Sequence, residues 1–417
     1  MKSSLFANRN FTLLYLGQLV SLFGDWFKTI ALIGVTYALY PHASAVGGMF
    51  IASVLPVLFG GIIMGPLVDR LNKKKIMIYV DIARSLLSAA VIYGAWVQNI
   101  WIVYIFIAAS ALVSSLFAPA RATMLPELVG KDKIVQATSS FALLNSVAMA
   151  VATALGGFVA DWVGPYAVLW YDAASYLFSA VCIYFIQYAW TKPSEAKARV
   201  PYLQQVKEGI VYVKNRPQLV AVYNLQFWRD FCLGYVYILF SLYILNELQA
   251  GNSGIGIGYS ITAIAYIIGA FFIKRYFKKK PFDDTAFFKI YFPFNILYGI
   301  GLGVTFSIHN WPLFLAFLLV TNIFQSGVNI VTETSLLTYS DPSIRGRVYA
   351  SWLSMSRLAY GIALPLFSAV GEWIPISQGG KLLTVIIALS TLVLIGYLKS
   401  RLARLQAEHQ PDVSIGG

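Results

Sequence analysis

Long apolar runs alternate with short polar breaks along the whole chain. A helix needs about 20 mostly apolar residues to cross the hydrocarbon core of a bilayer. Twelve segments meet that length, at roughly 11–38, 45–68, 76–97, 100–118, 137–160, 165–189, 219–246, 254–273, 286–307, 312–339, 347–371 and 380–398. Some breaks are very short, such as Gln98-Asn99 and Asp161 to Pro165. The pattern predicts an all-α polytopic membrane protein of twelve transmembrane helices. The first run, from Phe11 to about Tyr40, is too long for a signal-peptide core, and no small-residue cleavage site follows it. It is read as a retained span.

The longest hydrophilic stretch, Trp190–Pro217, divides six spans from six. The expected organisation is an N-terminal six-helix bundle over 1–190, a cytoplasmic linker over 191–218, a C-terminal bundle over 219–400 and a cytoplasmic tail over 401–417. Within the linker, Leu203, Val206, Ile210 and Val213 form one narrow apolar stripe at helical spacing. That stripe suits a helix lying on the cytoplasmic face. The two halves resemble each other weakly. The loops after spans four (Pro126 to Ser139) and ten (Asp341 to Ser351) each give a turn, two basic residues and a small-residue helix start. Gly251 to Gly258 reads as a turn into span eight. Six-plus-six repeats about a central linker are the layout of a transporter whose halves rock about a midplane site.

Composition agrees. The 417 residues are 58% apolar and 12% charged, about half the charge of a soluble domain. The net charge of +13 is topological rather than a nucleic-acid footprint. With the N-terminus in the cytoplasm, a single Lys or Arg of the 31, Lys381, falls in an outer loop. Lys289 begins span nine, and Lys28, Arg84, Arg229 and Arg357 lie inside spans. All the others fall on the cytoplasmic side, where positive charge is retained during insertion. Both termini are therefore expected in the cytoplasm, and basic loops meet anionic lipid headgroups. Trp96, Trp101, Trp311 and Trp373 read as interfacial anchors. Cys182 and Cys232 make no disulfide framework, and His42, His309 and His409 sit in no metal-ligand spacing. There is no Walker A sequence. No cofactor, metal or enzymatic activity is expected, and energy comes from an ion gradient or the solute's own gradient.

The loop after span two reads Gly65-Pro66-Leu67-Val68-Asp69-Arg70-Leu71-Asn72-Lys73-Lys74-Lys75. It resembles the loop motif of the major facilitator superfamily, a Gly, then Asp-Arg, then basic residues. Gly65 allows close helix approach, and Asp69 can cap the positive end of a facing helix, so the resemblance implies a gating latch at Asp69 and Arg70. Gly24-Asp25-Trp26, Asp81-Ile82-Ala83-Arg84, Pro119-Ala120-Arg121 with Leu125 to Val129, Asp172-Ala173-Ala174-Ser175, and Glu208-Gly209 before Arg216-Pro217 are similar to the branch of macrolide efflux proteins and the enterobactin exporter. Two positions depart. Span five has Ala152 to Gly157 where antiporters carry a Gly-Pro pair, and Asn72 stands at the glycine after Asp-Arg.

Ionisable groups at membrane depth are costly and face the bundle interior. Asp25 lies about 14 residues into span one, ~21 Å along the helix, and Lys28 shares its face. Asp25 reads as a protonation site or as half of a structural pair. Arg229 and Asp230 sit near mid-depth in span seven; as neighbours on a helix they point apart. Arg229 and Arg357 are candidates for substrate binding or charge balance, with Asp230. In span ten Asn322, Gln325, Asn329 and Thr332 form a polar stripe near Glu333, which is expected to line a water-filled cavity. Glu333 is the leading proton-carrier candidate. Asp81, Arg84 and Asp172 lie nearer span ends and read as gate pairs.

The sequence-based expectation is a monomeric, proton-coupled secondary exporter of an amphipathic small molecule, a macrolide-like drug or a siderophore, in a bacterial cytoplasmic membrane. Rival readings are a lysophospholipid flippase of the same fold, a nutrient uptake carrier, and a non-transporting sensor or assembly partner.

Overall fold

The computed structural model describes residues 5–188, 202–277, 284–341, 344–370 and 373–408. The chain is built from α1 (Arg9–Leu39), α2 (Ala43–Arg70), α3 (Lys73–Trp96), α4 (Ile100–Ser114), α5 (Phe117–Val129), α6 (Ile134–Trp162), α7 (Pro165–Tyr184), α8 (Tyr202–Lys214), α9 (Pro217–Leu242), α10 (Gly251–Phe277), α11 (Asp284–Thr305), α12 (Trp311–Thr338), α13 (Arg345–Val370) and α14 (Ile376–Glu408). No strand occurs among the described residues. With α4 and α5 taken together, eight of these segments are long and apolar enough to cross a membrane on length and composition alone. The other four expected spans correspond to α2, α11, α13 and α14.

Asparagines punctuate the short breaks. Asn8, Asn72, Asn99 and Asn310 each accept hydrogen bonds from the first-turn N–H groups of α1, α3, α4 and α12, answering donors that a helix start leaves unpaired. Asn72, the departure from the loop motif, thus serves as the N-cap of α3, accepting from Lys75 N at 3.2 Å.

Three elements differ from the sequence reading. Span four does not end at 118: after a turn at Ser115-Leu116 the helix resumes as α5 to Val129. Pro119 sits in its first turn, where no N–H is needed, and Gly130, at φ +78°, ends it in the left-handed region. The Gly251–Gly258 run is not a turn but the opening of α10. A Cβ on Gly256 would lie 2.2 Å from Thr153 O of α6, so the glycine permits backbone contact. The α8 helix docks through a different face. Gly209 and Val213 are buried while Ile210 is 42% exposed, because Glu208 pairs with Arg347 at 2.6 Å and Gly209 meets the α13 backbone. Tyr212 and Arg216 both reach Asp341. The first part of the linker, 191–201, and the tail beyond 408 lie outside the described residues.

Helix packing repeats between the halves. α1 packs on α6 and α7, α3 on α4 and α7, and α2 on α4. Six spans later the same pattern recurs: α9 on α13 and α14, α11 on α12 and α14, and α10 on α12. The halves meet along α2 with α13 and α6 with α10, which exchange under the same relation. The fold is thus two pseudo-symmetric six-helix bundles.

The bundles are bonded to each other toward the end opposite the basic loops. The Asp161 carboxylate of α6 accepts from Asn252 N, Asn252 Nδ2 and Ser253 N at 3.1, 2.9 and 2.7 Å, capping α10. Thr153 and Ser260 hydroxyls meet at 2.9 Å, and Tyr37 OH donates to Asn246 at 2.5 Å. Ser368 Oγ donates to Ser44 O at 3.4 Å, beside Gly47. Trp96, Trp101 and Trp373 are largely exposed at helix ends, as anchors should be, whereas Trp311 stacks on Phe314.

A Cβ on Gly157 would come within 2.5 Å of Asn252 O. Gly157→Leu is expected to wedge α6 from α10. Spin labels at Trp162 and Leu313 would lose their shortest-distance population; an unchanged distance distribution would contradict this closure. At the other end, Gly209→Leu is expected to undock α8 and expose it to limited proteolysis. Glu208→Ala, which removes a partly exposed ion pair, should cost under about 1 kcal/mol and leave α8 protected.

Candidate functional site

Asp25 of α1 is placed by a close crossing of α1 and α7. A Cβ on Gly24 would lie 2.3 Å from Ser175 Oγ, and one on Gly17 would press on Ser179 and Cys182. This contact brings Gly24-Asp25 and Asp172 to Ser175 together: small residues let two charged helices touch. Asp25 Oδ1 then accepts from Arg84 Nη2 and from Tyr176 OH, both at 2.5 Å, and pairs with Lys28 at 3.5 Å. Lys28 Nζ also reaches Asp172 Oδ2 at 3.1 Å, and Ser88 Oγ donates to the same oxygen at 2.6 Å. Arg84 lies 4.0 Å from the Tyr176 ring centroid, and Lys28 4.8 Å, a cation–π arrangement. Asp172 is fully buried, while the Asp25 side chain is 31% exposed.

That exposure faces a cavity of about 530 Å³ between the halves. Asp25, Lys28, Arg84 and Ser88 form its charged wall. The facing wall, from the C-terminal bundle, is aromatic: Tyr237, Phe240, Tyr259, Tyr266, Tyr298 and Tyr360. Phe50 of α2 meets Tyr237 of α9 at 5.3 Å between ring centroids, bringing the halves together beside it. A space with one charged and one aromatic face suits an amphipathic guest, with a polar group at one end and a flat apolar body at the other.

The polar stripe of α12 divides along its length. Asn322 and Gln325 line the cavity, and Gln325 accepts from Tyr266 OH at 3.0 Å. Asn329 is half-buried away from the lining, and Thr332 donates to Val328 O of its own helix. Glu333 is exposed and lies outside the cavity lining, about three helical turns beyond Asn322 toward the Thr338 end of α12. Arg229 and Asp230 are buried behind the aromatic wall rather than in it. They do point apart, yet Gln226 joins them, accepting from Arg229 Nη2 and donating to Asp230 Oδ2 at 2.7 Å. Arg357 is half-buried and outside the lining. Arg84 belongs to the cavity wall rather than to a gate near a span end, while Asp81 is wholly buried behind it. Gly65, Asp69 and Arg70 lie in the last turns of α2, and their side chains are outside the described residues.

Sequence reasoning did not reach Tyr176, the hub of the charged cluster, nor Ser88, Gln226 and the tyrosines of the far wall. Helical spacing carried the signal for three of them. Ser88 is four residues from Arg84, Tyr176 four from Asp172 and Gln226 three and four from Arg229 and Asp230, so each shares a face with a charge.

Arg84→Ala leaves three buried or half-buried carboxyls with one cation. The expected cost is about 3 kcal/mol, the low end for a buried pair because Asp25 is partly open to the cavity. A lowered thermal midpoint in detergent would register it; an unshifted midpoint would mean that the pair is not holding α1 to α3.

The comparisons with known proteins converge on this architecture. The family model of the Major Facilitator Superfamily matches residues 14–287 and 230–412. The MFS-type transporter YfiS of Bacillus subtilis is 29% identical over 53% of this chain; the match spans about half the length of that relative. The multidrug efflux pump Tap of Mycolicibacterium fortuitum is 22% identical over 89% of this chain and 92% of its own. A staphyloferrin A transporter of Staphylococcus aureus is 22% identical over 72% and 74%. Among solved structures, a point mutant of the nucleoside transporter NupG superposes with a TM-score of 0.76 at 10% identity, covering 94% of this chain and 99% of that one. A bacterial homologue of ferroportin gives 0.69 at 14% identity in its inward-facing state, over 93% and 98% of the two chains. The outward-facing form gives 0.56 at 15% identity, over 94% and 99%. The repeated helix packing, the cavity between two bundles and the family match together make this chain a multi-pass membrane transporter of the major facilitator superfamily.

Proposed function

We propose that the protein is a proton-driven exporter of an amphipathic small molecule, working by alternating access in a bacterial cytoplasmic membrane. The observation that carries this reading is the two-faced cavity, with Asp25, Lys28 and Arg84 on one wall and tyrosines on the other. Such a lining accepts a bulky, partly apolar solute and holds ionisable groups beside it. Likeness to a multidrug efflux pump and a siderophore transporter supports the same class.

The basic loops lie on the cytoplasmic side by the retention of positive charge. The bonded end, with Asp161 on α10, is then the outer gate, and the described conformation faces the cytoplasm. Asp25 is the member of the charged cluster open to the cavity, and so the group through which solute and proton communicate. Glu333, exposed on α12, stands outside the cavity lining and apart from that exchange. Asp69 and Arg70 would latch the cytoplasmic side once the cavity turns outward. Arg229, Asp230 and Arg357 would balance charge behind the C-terminal wall. The protein would work as a monomer, with protons and membrane lipids as its other partners.

The test is transport by the purified protein in liposomes with an imposed pH gradient, offered a macrolide, a catecholate siderophore and a planar aromatic cation. Gradient-driven accumulation of at least one solute is expected, and its loss in Asp25→Asn with unchanged folding. Glu333→Gln should retain transport. Transport indifferent to the gradient, or an active Asp25→Asn, would overturn the proton-coupled reading.

A further inference from the structure

Behind Arg84, one helical turn toward the basic end of α3, lies Asp81. It is fully buried, with 0% of its surface exposed. Its carboxyl lies against the Ser179 hydroxyl of α7, and no cation is bonded to either oxygen among the described residues. One neighbouring donor, Arg84 Nε, is unengaged. An ionised carboxylate in an apolar interior without a paired cation is among the costliest arrangements a protein can hold, and such a group takes a proton instead.

Counting the charges around it leads to the same place. On α1 stand Asp25 and Lys28, on α3 Asp81 and Arg84, and on α7 Asp172 and the Tyr176 phenol. α5, which also packs on α3, contributes Arg121, whose guanidinium is turned to Gln18 of α1 and the Phe141 ring, and Glu127. α4 brings no charged residue. α2 makes few contacts with α3, and its Asp69 and Arg70 side chains lie outside the described residues. Three carboxyls therefore share two cations. Asp25 takes Arg84, Lys28 and Tyr176, and Asp172 takes Lys28 and Ser88. Asp81 is left with the Ser179 hydroxyl and no bonded cation, and one proton brings the cluster to neutrality.

We propose that Asp81 is the proton-carrying residue of the transport cycle, holding its proton while Arg84 is engaged by Asp25. When the proton leaves for the water on the cytoplasmic side, the new carboxylate stands on the same helical face as Arg84, three residues away, beside its unengaged Nε. Arg84 then turns from Asp25 to Asp81, and Asp25, left with Tyr176 and a Lys28 that it shares with Asp172, presents a less neutralised carboxylate to the cavity. A solute carrying a protonated amine fits that vacated partner position. Reprotonation of Asp81 returns Arg84 to Asp25 and ejects the amine. Asp81 touches no solute, so the exchange is relayed by Arg84, which lines the cavity. This inference rests on the proton-coupled reading above and assigns its proton to a residue outside the cavity.

The test is infrared difference spectroscopy of the full chain in nanodiscs, with carboxyl-labelled aspartate, titrated through neutral pH. Wild-type protein is expected to show the carbonyl band of a protonated aspartate that disappears as pH rises. The band should be lost in Asp81→Asn, and in Asp25→Asn, which releases Arg84 to Asp81, it should disappear at lower pH than in wild type. Absence of the band in wild type, or its survival in Asp81→Asn, would overturn the assignment, and the wild-type result holds even if that variant fails to fold. The measurement needs no solute, so it stands apart from the liposome assay. In that assay Asp81→Asn, fixed in the arrangement that keeps Arg84 on Asp25, should neither retain a planar aromatic amine nor accumulate it against the gradient. Full gradient-driven accumulation by Asp81→Asn would remove it from the coupling path.

Discussion

A charge placed inside an apolar span has to be answered from another helix, and this demand organises the N-terminal bundle. Asp25, Arg84 and Asp172 come from three different helices, and each alone would be a heavy burden on its own span. Together, with Lys28 and Tyr176, they tie α1, α3 and α7 into one unit. The small residues around them follow from this. Gly17, Gly24 and Ser175 are where α1 and α7 must approach closely enough for short bonds. The charged network is therefore a condition of the packing as much as an ornament of the cavity.

The C-terminal bundle repeats the helix packing without repeating the chemistry. Its buried charges, Arg229 and Asp230, come from one helix and are bridged by Gln226 of that same helix. Their tie to another helix is a neutral one, from Asp230 to the Ser356 hydroxyl of α13, and tyrosines face the cavity in front of them. Pseudo-symmetry thus sets where helices lie, and the two halves divide the labour of the cavity: ionic on one side, aromatic on the other.

Much of this was legible in the sequence, and the limits have physical causes. Apolar length located the spans because the bilayer imposes it. Asp25 and Lys28 stood out because charge is rare at such depth. Asp172, Asp81 and Arg84 were visible as charges but were read as gate pairs near span ends, since contacts across helices leave no spacing in the chain. Tyr176 was hidden among 26 tyrosines, where residue type alone says nothing. The Gly251–Gly258 run misled for a related reason: glycine signals a turn by local propensity, yet here it answers the Thr153 backbone of a helix a hundred residues away. The apolar stripe of α8 was real, but a buried glycine and an ion pair to Arg347 decided which face docks.

Asp161 has a consequence for kinetics. One carboxylate collects three donors from the first turn of α10, and hydrogen bonds gathered on a single acceptor break in one event rather than peeling apart in sequence. Release of α10 from Asp161 is therefore one step, distinct from the parting of the Thr153–Ser260 and Tyr37–Asn246 contacts, which each involve a single bond.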